Sequence, residues 1–438
     1  MTVFHKRYLY IFIFVLGFSF LSILLPLGTP IYRYSIVNIF SSIIFLAVCL
    51  FLTRINLSSK EVFLLIGIFF LIRLVFINTN PIGSNDIYRY IWDGKVQHNN
   101  INPYLYSPDN PALNFLRSDI LYNNVGFSHL KTIYFPLSQW LFFIGFSLSG
   151  SAVWGYKLLL IIAELSAVIS IIFLLKKLQI DIKYILFYVL CPLSIIQFAI
   201  DAHLDAFGFP FILLSILFFL NKKIFFSSIL LGLSLSIKPV GLILLPIFFF
   251  TGKEFAKKIL ILILPFCVLI IQFLPYIFTS NPFETFFIYT ENWAFNGFIF
   301  ELMNLYFKNN QVARIICGFI LLLSLLPIYF SKKDFVFKIY YSTFLLMILS
   351  PVVHPWYLGW LAVLIPLSQK WSGLFYTALV SLTSFTILDF TLYGVWREYW
   401  IILLIEYLPV LFFFYLEMTG KFVPKSTKEE REISRSSF

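Results

Sequence analysis

A run of polar and aromatic residues, SNDIYRYIWDG at 84–94, follows the third apolar segment of the chain. Asp86, Tyr90 and Asp93 stand at positions i, i+4 and i+7, so a helix would place them on one face, with Arg89 three residues from Asp86. A carboxylate at the mouth of a cavity can take the proton of a hydroxyl acceptor. The same spacing also fits an ordinary helix whose N-terminus is stabilised by Asp86.

Other ionisable residues stand at the ends of apolar segments: Asp201, His203, Asp205, Lys238 and His354. Ionisable groups at helix ends within a membrane are costly and mark functional cavities. Any one of them also fits a hydrated helix end. Because several converge beside short or proline-broken segments, we expect a polar cavity.

Lys238 and His354 each precede a proline. A lysine ammonium can hold a phosphate and offset charge on a leaving group. An imidazole can donate a hydrogen bond to phosphate or carry a proton near neutral pH. Snorkelling of the lysine and a lone core histidine are the open alternatives.

A metal is less well supported than a phosphate, because the carboxylates and imidazole at 201–205 have no second cluster with clear ligand spacing. Capping of the helix that follows explains these residues equally well. We therefore predict no cofactor and leave a divalent metal open.

Mixed aromatic and amide residues such as ENWAFNG at 291–297 suit either a sugar or the membrane interface. The expected sugar-binding residues are Tyr90, Trp92, Asp93, His203, Asp205, Trp293, Asn296, Trp356 and Tyr357.

The elements that must position these residues are membrane helices. The 438 residues are 60% hydrophobic and 12% charged, about half the charged fraction of soluble domains. This composition excludes a soluble enzyme and leaves no room for a separate soluble domain. We predict an all-α polytopic membrane protein with about 12–14 transmembrane helices. The segments are 8–27, 35–53, 61–77, 154–175, 183–200, 204–220, 224–237, 240–250, 258–278, 311–330, 338–352, 356–368, 372–391 and 399–416. Those beside Pro239 and Pro355 are short, which predicts broken or re-entrant helices.

The positions of basic residues predict the orientation. Placing residues 5–7 inside also puts the later lysine clusters and the C-terminus in the cytoplasm, and leaves two long outer loops at 78–153 and 279–310. Residues 133–149 are predicted to form an interfacial helix, because a span there would put Lys176 and Lys177 outside. The net charge of +11 therefore reports orientation and not nucleic-acid binding.

Single charges within helices, at Arg73, Glu164 and Glu406, are either paired or line the cavity. The four cysteines lie in apolar runs, which predicts neither a disulfide nor a cysteine metal site.

These motifs resemble the polytopic GT-C glycosyltransferases, in particular the polyprenyl-phosphate-mannose-dependent mannosyltransferases of glycosyltransferase family 87 and the alpha-1,6-mannosyltransferase type. The resemblance covers roughly residues 80–360, and two extra spans leave residues 1–54 outside it. It predicts an extra N-terminal hairpin at 1–60 and a GT-C-like catalytic domain at 61–420. The polar, mixed-charge composition of 421–438 separately predicts a disordered cytoplasmic tail. The motifs are, in order, NDIYRYIWDG with NPY, YFPLSQ, AHLDAF, SIKP, WAFNG and HPWYLGW.

The resemblance implies transfer of a sugar, with mannose expected, from a polyprenyl-phosphate donor to a hydroxyl of a glycan or glycolipid. Asp86 matches the catalytic carboxylate of the first outer loop, and inversion at the anomeric carbon is expected. Arg89, Lys238 and His354 would hold the departing phosphate. The enzyme would lie in a bacterial plasma membrane with its site on the outer side. The alternatives are a transporter or flippase for lipid-linked sugars, and a glycan polymerase or ligase with a polyprenyl-diphosphate donor.

Overall fold

A computed structural model describes residues 2–117, 120–252 and 254–421 of the chain. The described chain is helical, and its β contacts are isolated bridges of Phe295 and Asn296 to Val352. Except for Lys421, the predicted tail lies outside the described residues.

Six of the described helices are long and apolar enough to cross a membrane. They confirm an all-α polytopic membrane protein. Their bounds agree with the predicted segments because a buried apolar run of about 20 residues has few alternatives to a helix. These helices are Pro30–Leu52, Trp154–Lys177, Phe255–Ile277, Asn310–Phe330, Trp371–Tyr393 and Trp400–Met418. The helices Thr2–Ser22 and Ser59–Val75 cover the first and third predicted segments.

Several predicted segments form shorter or broken helices. The 3-10 turns Pro239–Leu244 and Pro355–Leu358 confirm the breaks predicted at these two prolines. The predicted segment 183–200 consists of two half-helices, Ile182–Val189 and Pro192–Ile200, with a bend of 55° between them. Pro192 has no N–H to continue the hydrogen-bond ladder. The shorter apolar helices are Leu204–Leu220, Ile224–Leu235, Pro239–Thr251, Phe298–Phe307 and Phe335–Leu349.

A buried ion pair supports this bend. Arg73 donates from Nε to Glu164 Oε2 at 3.1 Å and from Nη2 to Ser194 Oγ at 2.7 Å. Both of its Nη atoms lie 3.4 Å from the carbonyl oxygen of Val189, at the end of the first half-helix. The charges of Arg73 and Glu164 are therefore paired structurally.

The first long loop (78–153) contains two well-formed helices. The loop helix, Asp86–His98, packs so tightly on the flanking helix, Pro136–Ser149, that a Cβ at Gly94 would lie 2.3 Å from the carbonyl oxygen of Phe142. The flanking helix has 14 residues, fewer than the roughly 20 a span needs. The helix expected at 133–149 is thus present, and its place at the membrane interface stays a prediction.

The second long loop (279–310) contains the helices Glu284–Asn292 and Phe298–Phe307, neither of which was predicted from the sequence. Between them the chain turns at Asn296, whose φ is +54°. Phe295 exchanges backbone hydrogen bonds with Pro351 and Val353. The second long loop is therefore attached to the segment that carries His354.

Candidate active site

Asp86 begins the loop helix directly after a segment of turns and irregular backbone, 76–85. The N–H groups of Ile82 and Gly83 both donate to Asp201 Oδ1 at 2.9 Å. The Tyr34 hydroxyl donates to the other carboxylate oxygen, Oδ2. These bonds fix the backbone three and four residues before Asp86.

Asp86 contacts a stack of rings. Its Oδ2 lies 3.4 Å from Nδ1 of the fully buried His203. The His203 ring stacks on Trp356 with a centroid distance of 3.6 Å. Trp356 also stacks on His354, at 4.4 Å and 3° between planes. The stack holds His203 against Asp86, whose side chain keeps 30% exposure.

Lys238 forms the second part of the site. Its Nζ donates to Asp205 Oδ1 at 2.9 Å and lies 3.3 Å from the ring centroid of Tyr357. Trp360 Nε1 donates to the same Asp205 oxygen at 2.7 Å, whereas Asp205 Oδ2 is buried without a partner in the described part of the chain. The Tyr357 hydroxyl bonds that of Tyr289 at 2.6 Å. Lys238 is 22% exposed, so the protein satisfies only part of the hydrogen-bonding capacity of its ammonium.

One short turn supplies both His203 and Asp205. Ala202 has a φ of +63°, a left-handed conformation that costs a non-glycine residue about 1–2 kcal/mol. The turn orients His203 towards Asp86 and Asp205 towards Lys238. We call the resulting group the polar cluster: Asp86, His203, Asp205, Lys238, His354, Trp356 and Tyr357.

The electrostatics keep Asp86 ionised. Burial alone would raise its pKa, but the contact with His203 and the charge of Lys238 outweigh burial and lower the pKa below its ordinary value. Burial lowers the pKa of His354 to about 3. At neutral pH the site therefore offers a carboxylate as proton acceptor and a neutral imidazole as hydrogen-bond donor.

Other predicted site residues of the loop helix lie in packed surroundings. Arg89 donates from Nε to Asp93 Oδ1 at 2.9 Å, and Gln139 Nε2 donates to Asp93 Oδ2 at 3.0 Å. Tyr90 stacks on Phe142, and Trp92 packs against Tyr122. All four residues are buried. The structure thus makes these four residues part of the support of the loop helix: Arg89 and Asp93 pair with each other, and Tyr90 and Trp92 pack on neighbouring rings.

The second long loop contributes less than its composition suggests. Asn296 donates from Nδ2 to Glu406 Oε1 at 3.0 Å and from its backbone N–H to Glu398 Oε2 at 2.7 Å. Asn296 therefore anchors the second long loop. Glu406, one of the single charges within helices, has the Asn296 side chain as its partner. Trp293 stacks on Tyr289 at 5.4 Å, at the edge of the site.

Sequence reasoning missed Tyr34, Tyr289 and Trp360 as residues of the site or its support. Each makes its contact across more than 60 residues of chain. The aromatic content of HPWYLGW was a signal for Trp360, but Tyr34 and Tyr289 have no local motif.

Neither a metal-ligand group nor a neighbouring cleft adds residues to the polar cluster. Within the described residues, no three His, Cys, Asp or Glu side chains come together in a way that could hold a metal. A cleft of about 620 Å³ is lined by none of the cluster residues. Its lining includes Asn78, Asn80, Tyr88, Asn124 and Trp154.

Comparison with known families identifies the class of protein, a glycosyltransferase enzyme of the membrane. Residues 30–252 match the N-terminal domain of the alpha-(1->6)-mannopyranosyltransferase family (MptA/B), and residues 298–415 match the MptB C-terminal domain. The first match alone spans more than half of the chain, so the chain belongs to this mannosyltransferase family. Comparisons with curated proteins and with solved structures give no significant match.

The family match confirms the resemblance seen in the motifs and favours an enzyme over a transporter. It begins at residue 30 and so includes the helix Pro30–Leu52. The expectation that the family pattern excludes residues 1–54 is therefore wrong for residues 30–54. The two matched regions together contain every residue of the polar cluster.

Proposed function

We propose that this mannosyltransferase transfers mannose from a polyprenyl phosphate to a hydroxyl of a glycan or glycolipid acceptor, with inversion and with Asp86 as general base. One observation carries the proposal: an ionised carboxylate and a partly exposed lysine lie in the same polar cluster. Such a pair supplies the two groups that the reaction needs, a proton acceptor and a partner for the leaving phosphate.

The donor end is assigned to Lys238. Its ammonium has one carboxylate partner and retains exposure, so a phosphate can take the remaining donors. The paired hydroxyls of Tyr289 and Tyr357 and the neutral His354 lie beside it. These groups offer hydrogen bonds without further positive charge, which suits the single phosphate of a polyprenyl-phosphate donor better than a diphosphate. Arg89 is not included, because its guanidinium is paired with Asp93.

The acceptor end is assigned to Asp86. As the bond between the anomeric carbon and the phosphate oxygen breaks, the acceptor oxygen bonds that carbon from the opposite face. The acceptor proton passes to the Asp86 carboxylate, and the electron pair of the broken bond leaves with the phosphate. His203 keeps Asp86 oriented, and the free oxygen of Asp205 is available to a sugar hydroxyl.

The placement of the reaction is part of the proposal. The polar cluster lies at the end of the bundle that carries both long loops, and the distribution of basic residues assigns this end to the outside. We therefore assign the reaction to the outer face of a bacterial plasma membrane. The catalytic unit is assigned to residues 61–420, with residues 1–60 as an N-terminal hairpin.

A donor panel tests the proposal. The purified protein in lipid nanodiscs is given labelled mannose on a polyprenyl phosphate, on a polyprenyl diphosphate or on a nucleotide, together with an alpha-1,6-linked oligomannoside. We expect transfer from the monophosphate only, and a product whose anomeric configuration is opposite to that of the donor. Transfer from the diphosphate or the nucleotide alone, or retention of configuration, would contradict the proposal.

A further inference from the structure

We propose that Lys157, together with Asp201 and Tyr34, forms a positioning device for Asp86, an inference that rests on the proposed role of Asp86. All three residues are at most 1% exposed, so they are closed to a substrate. They fix the backbone segment that delivers the catalytic carboxylate, and the family match assigns no role to them.

Lys157 is almost fully buried in the helix Trp154–Lys177. Its Nζ lies 3.1 Å from the carbonyl oxygen of Phe76 and 2.8 Å from those of Thr79 and Ile200. Among the described residues, no carboxylate lies within ion-pair distance of this ammonium. A buried lysine that donates to three backbone carbonyls, and here also to the Thr79 hydroxyl at 3.3 Å, joins separate stretches of chain, in this case the segment before Asp86 and the turn before His203.

Asp201 continues the same connection from the next residue along the chain. It accepts from the N–H groups of Ile82 and Gly83 and from the hydroxyl of Tyr34. Lys157 and Asp201 thus hold the segment 76–83 at both ends. Two residues beyond Asp201 stands His203, which contacts Asp86.

The geometry therefore makes the position of Asp86 and the position of His203 depend on the same turn. Ile200 and Asp201 set the position of the segment before Asp86, and the same turn sets the position of His203. A shift of this turn would move both sides of the contact between Asp86 and His203. Tyr34 comes from the helix Pro30–Leu52, so the N-terminal hairpin takes part in the device.

Two substitutions test the device against matched controls. Lys157→Met removes the ammonium, and Tyr34→Phe removes one hydroxyl. Lys183→Met is the control for the first, because Lys183 is also buried and donates to a carbonyl, that of Ile55, away from the segment 76–83. Tyr341→Phe is the control for the second, because Tyr341 donates to the buried Glu417.

Two readouts separate positioning from general stabilisation. In Lys157→Met we expect kcat to fall about 100-fold with KM for the donor nearly unchanged, while Lys183→Met keeps kcat within about threefold at a similar loss of melting temperature. Hydrogen–deuterium exchange of the segment 76–86, measured without substrate, should become at least about tenfold faster in Lys157→Met and should stay unchanged in Lys183→Met. Tyr34→Phe should change both readouts in the same direction by a smaller factor and should fold even if Lys157→Met does not.

Equal losses of kcat in the two lysine variants, or unchanged exchange of the segment 76–86 in both test variants, would overturn the positioning role. The exchange readout does not depend on the reaction. If Asp86→Asn keeps full transfer while Lys157→Met accelerates exchange, the role of Asp86 fails and the anchoring of the segment stands. If exchange is unchanged and Asp86→Asn is inactive, the inference fails and the proposed function stands.

Discussion

The ion pairs Arg73–Glu164 and Lys238–Asp205 differ in how completely the protein satisfies their hydrogen-bonding groups. Arg73 and Glu164 are at most 1% exposed, and the arginine also bonds Ser194 and backbone carbonyls. Lys238 is 22% exposed and bonds one oxygen of Asp205. The other oxygen of Asp205 has no partner in the described chain.

This difference separates a structural pair from one that we propose to be functional. Burying two charges is costly, and the cost is offset only when hydrogen bonds satisfy the remaining donors and acceptors. The pair of Arg73 and Glu164 meets that condition and supports the bend at Pro192. The pair of Lys238 and Asp205 retains donors and an acceptor for another molecule, and it lies beside Asp86.

Removing the structural pair should have the largest effect. Arg73→Met leaves Glu164 as a buried carboxylate without its cation, which we expect to cost about 3–5 kcal/mol of stability. The measurement is thermal unfolding of the purified variant in detergent, together with its yield. The double variant Arg73→Met with Glu164→Gln should recover part of the loss. Unchanged unfolding of Arg73→Met would contradict the assignment.

Removing the functional cation should instead affect the reaction. Lys238→Met is expected to lower kcat about 100-fold or more by removing the charge that offsets the leaving phosphate, with a melting temperature close to that of the wild type. Lys308→Met, an exposed lysine of the second long loop, is the control and should keep full activity. A fold defect in Lys238→Met without a specific loss of kcat would make this pair structural as well.

The space beside Gly83 gives a smaller, steric prediction. A Cβ there would lie 2.3 Å from the Tyr34 hydroxyl and 2.7 Å from Asp201 Oδ2, so Gly83→Ala must shift the segment before Asp86. We expect kcat to fall about tenfold to 100-fold. Gly67→Ala, with nothing within 4 Å of the added carbon, is the control in a neighbouring helix. Equal kcat in the two variants would refute the close approach.

The anchor of the second long loop gives the smallest prediction, a pH dependence. Burial raises the pKa of Glu398 from 4.5 to about 7, so its neutral form is favoured when the loop is attached. This contribution is complete below about pH 4.5 and is lost as the pH rises through 7. The measurement is the hydrogen-exchange rate of the Asn296 backbone amide divided by the rate of the same amide in Glu398→Gln at the same pH. We expect this ratio to rise by at most about tenfold between pH 5 and 8, because Glu398 is partly exposed. A ratio independent of pH would contradict the shift.

The long apolar helices and the charged members of the polar cluster could be predicted from sequence, because apolar runs and charged residues at their ends are local signals. The separate roles of Arg89 and Lys238 could not. Both are basic residues beside aromatic rings, and only the packed structure shows that Arg89 has Asp93 as its partner. The same holds for Lys157 and Tyr34, whose side-chain contacts join residues 43 or more positions apart. The bend at Pro192 carried a local signal, the proline itself, that the segment prediction did not use.

The central claim is that Asp86 accepts the proton of the acceptor hydroxyl. The most direct test measures mannose transfer from polyprenyl phosphate mannose by Asp86→Asn at saturating donor, with Asp109→Asn, an exposed carboxylate of the same loop, as control. We predict a loss of kcat of about 100-fold to 10,000-fold in Asp86→Asn alone, with unchanged donor binding and folding. Full transfer by a folded Asp86→Asn variant would contradict the assignment of Asp86 as the base.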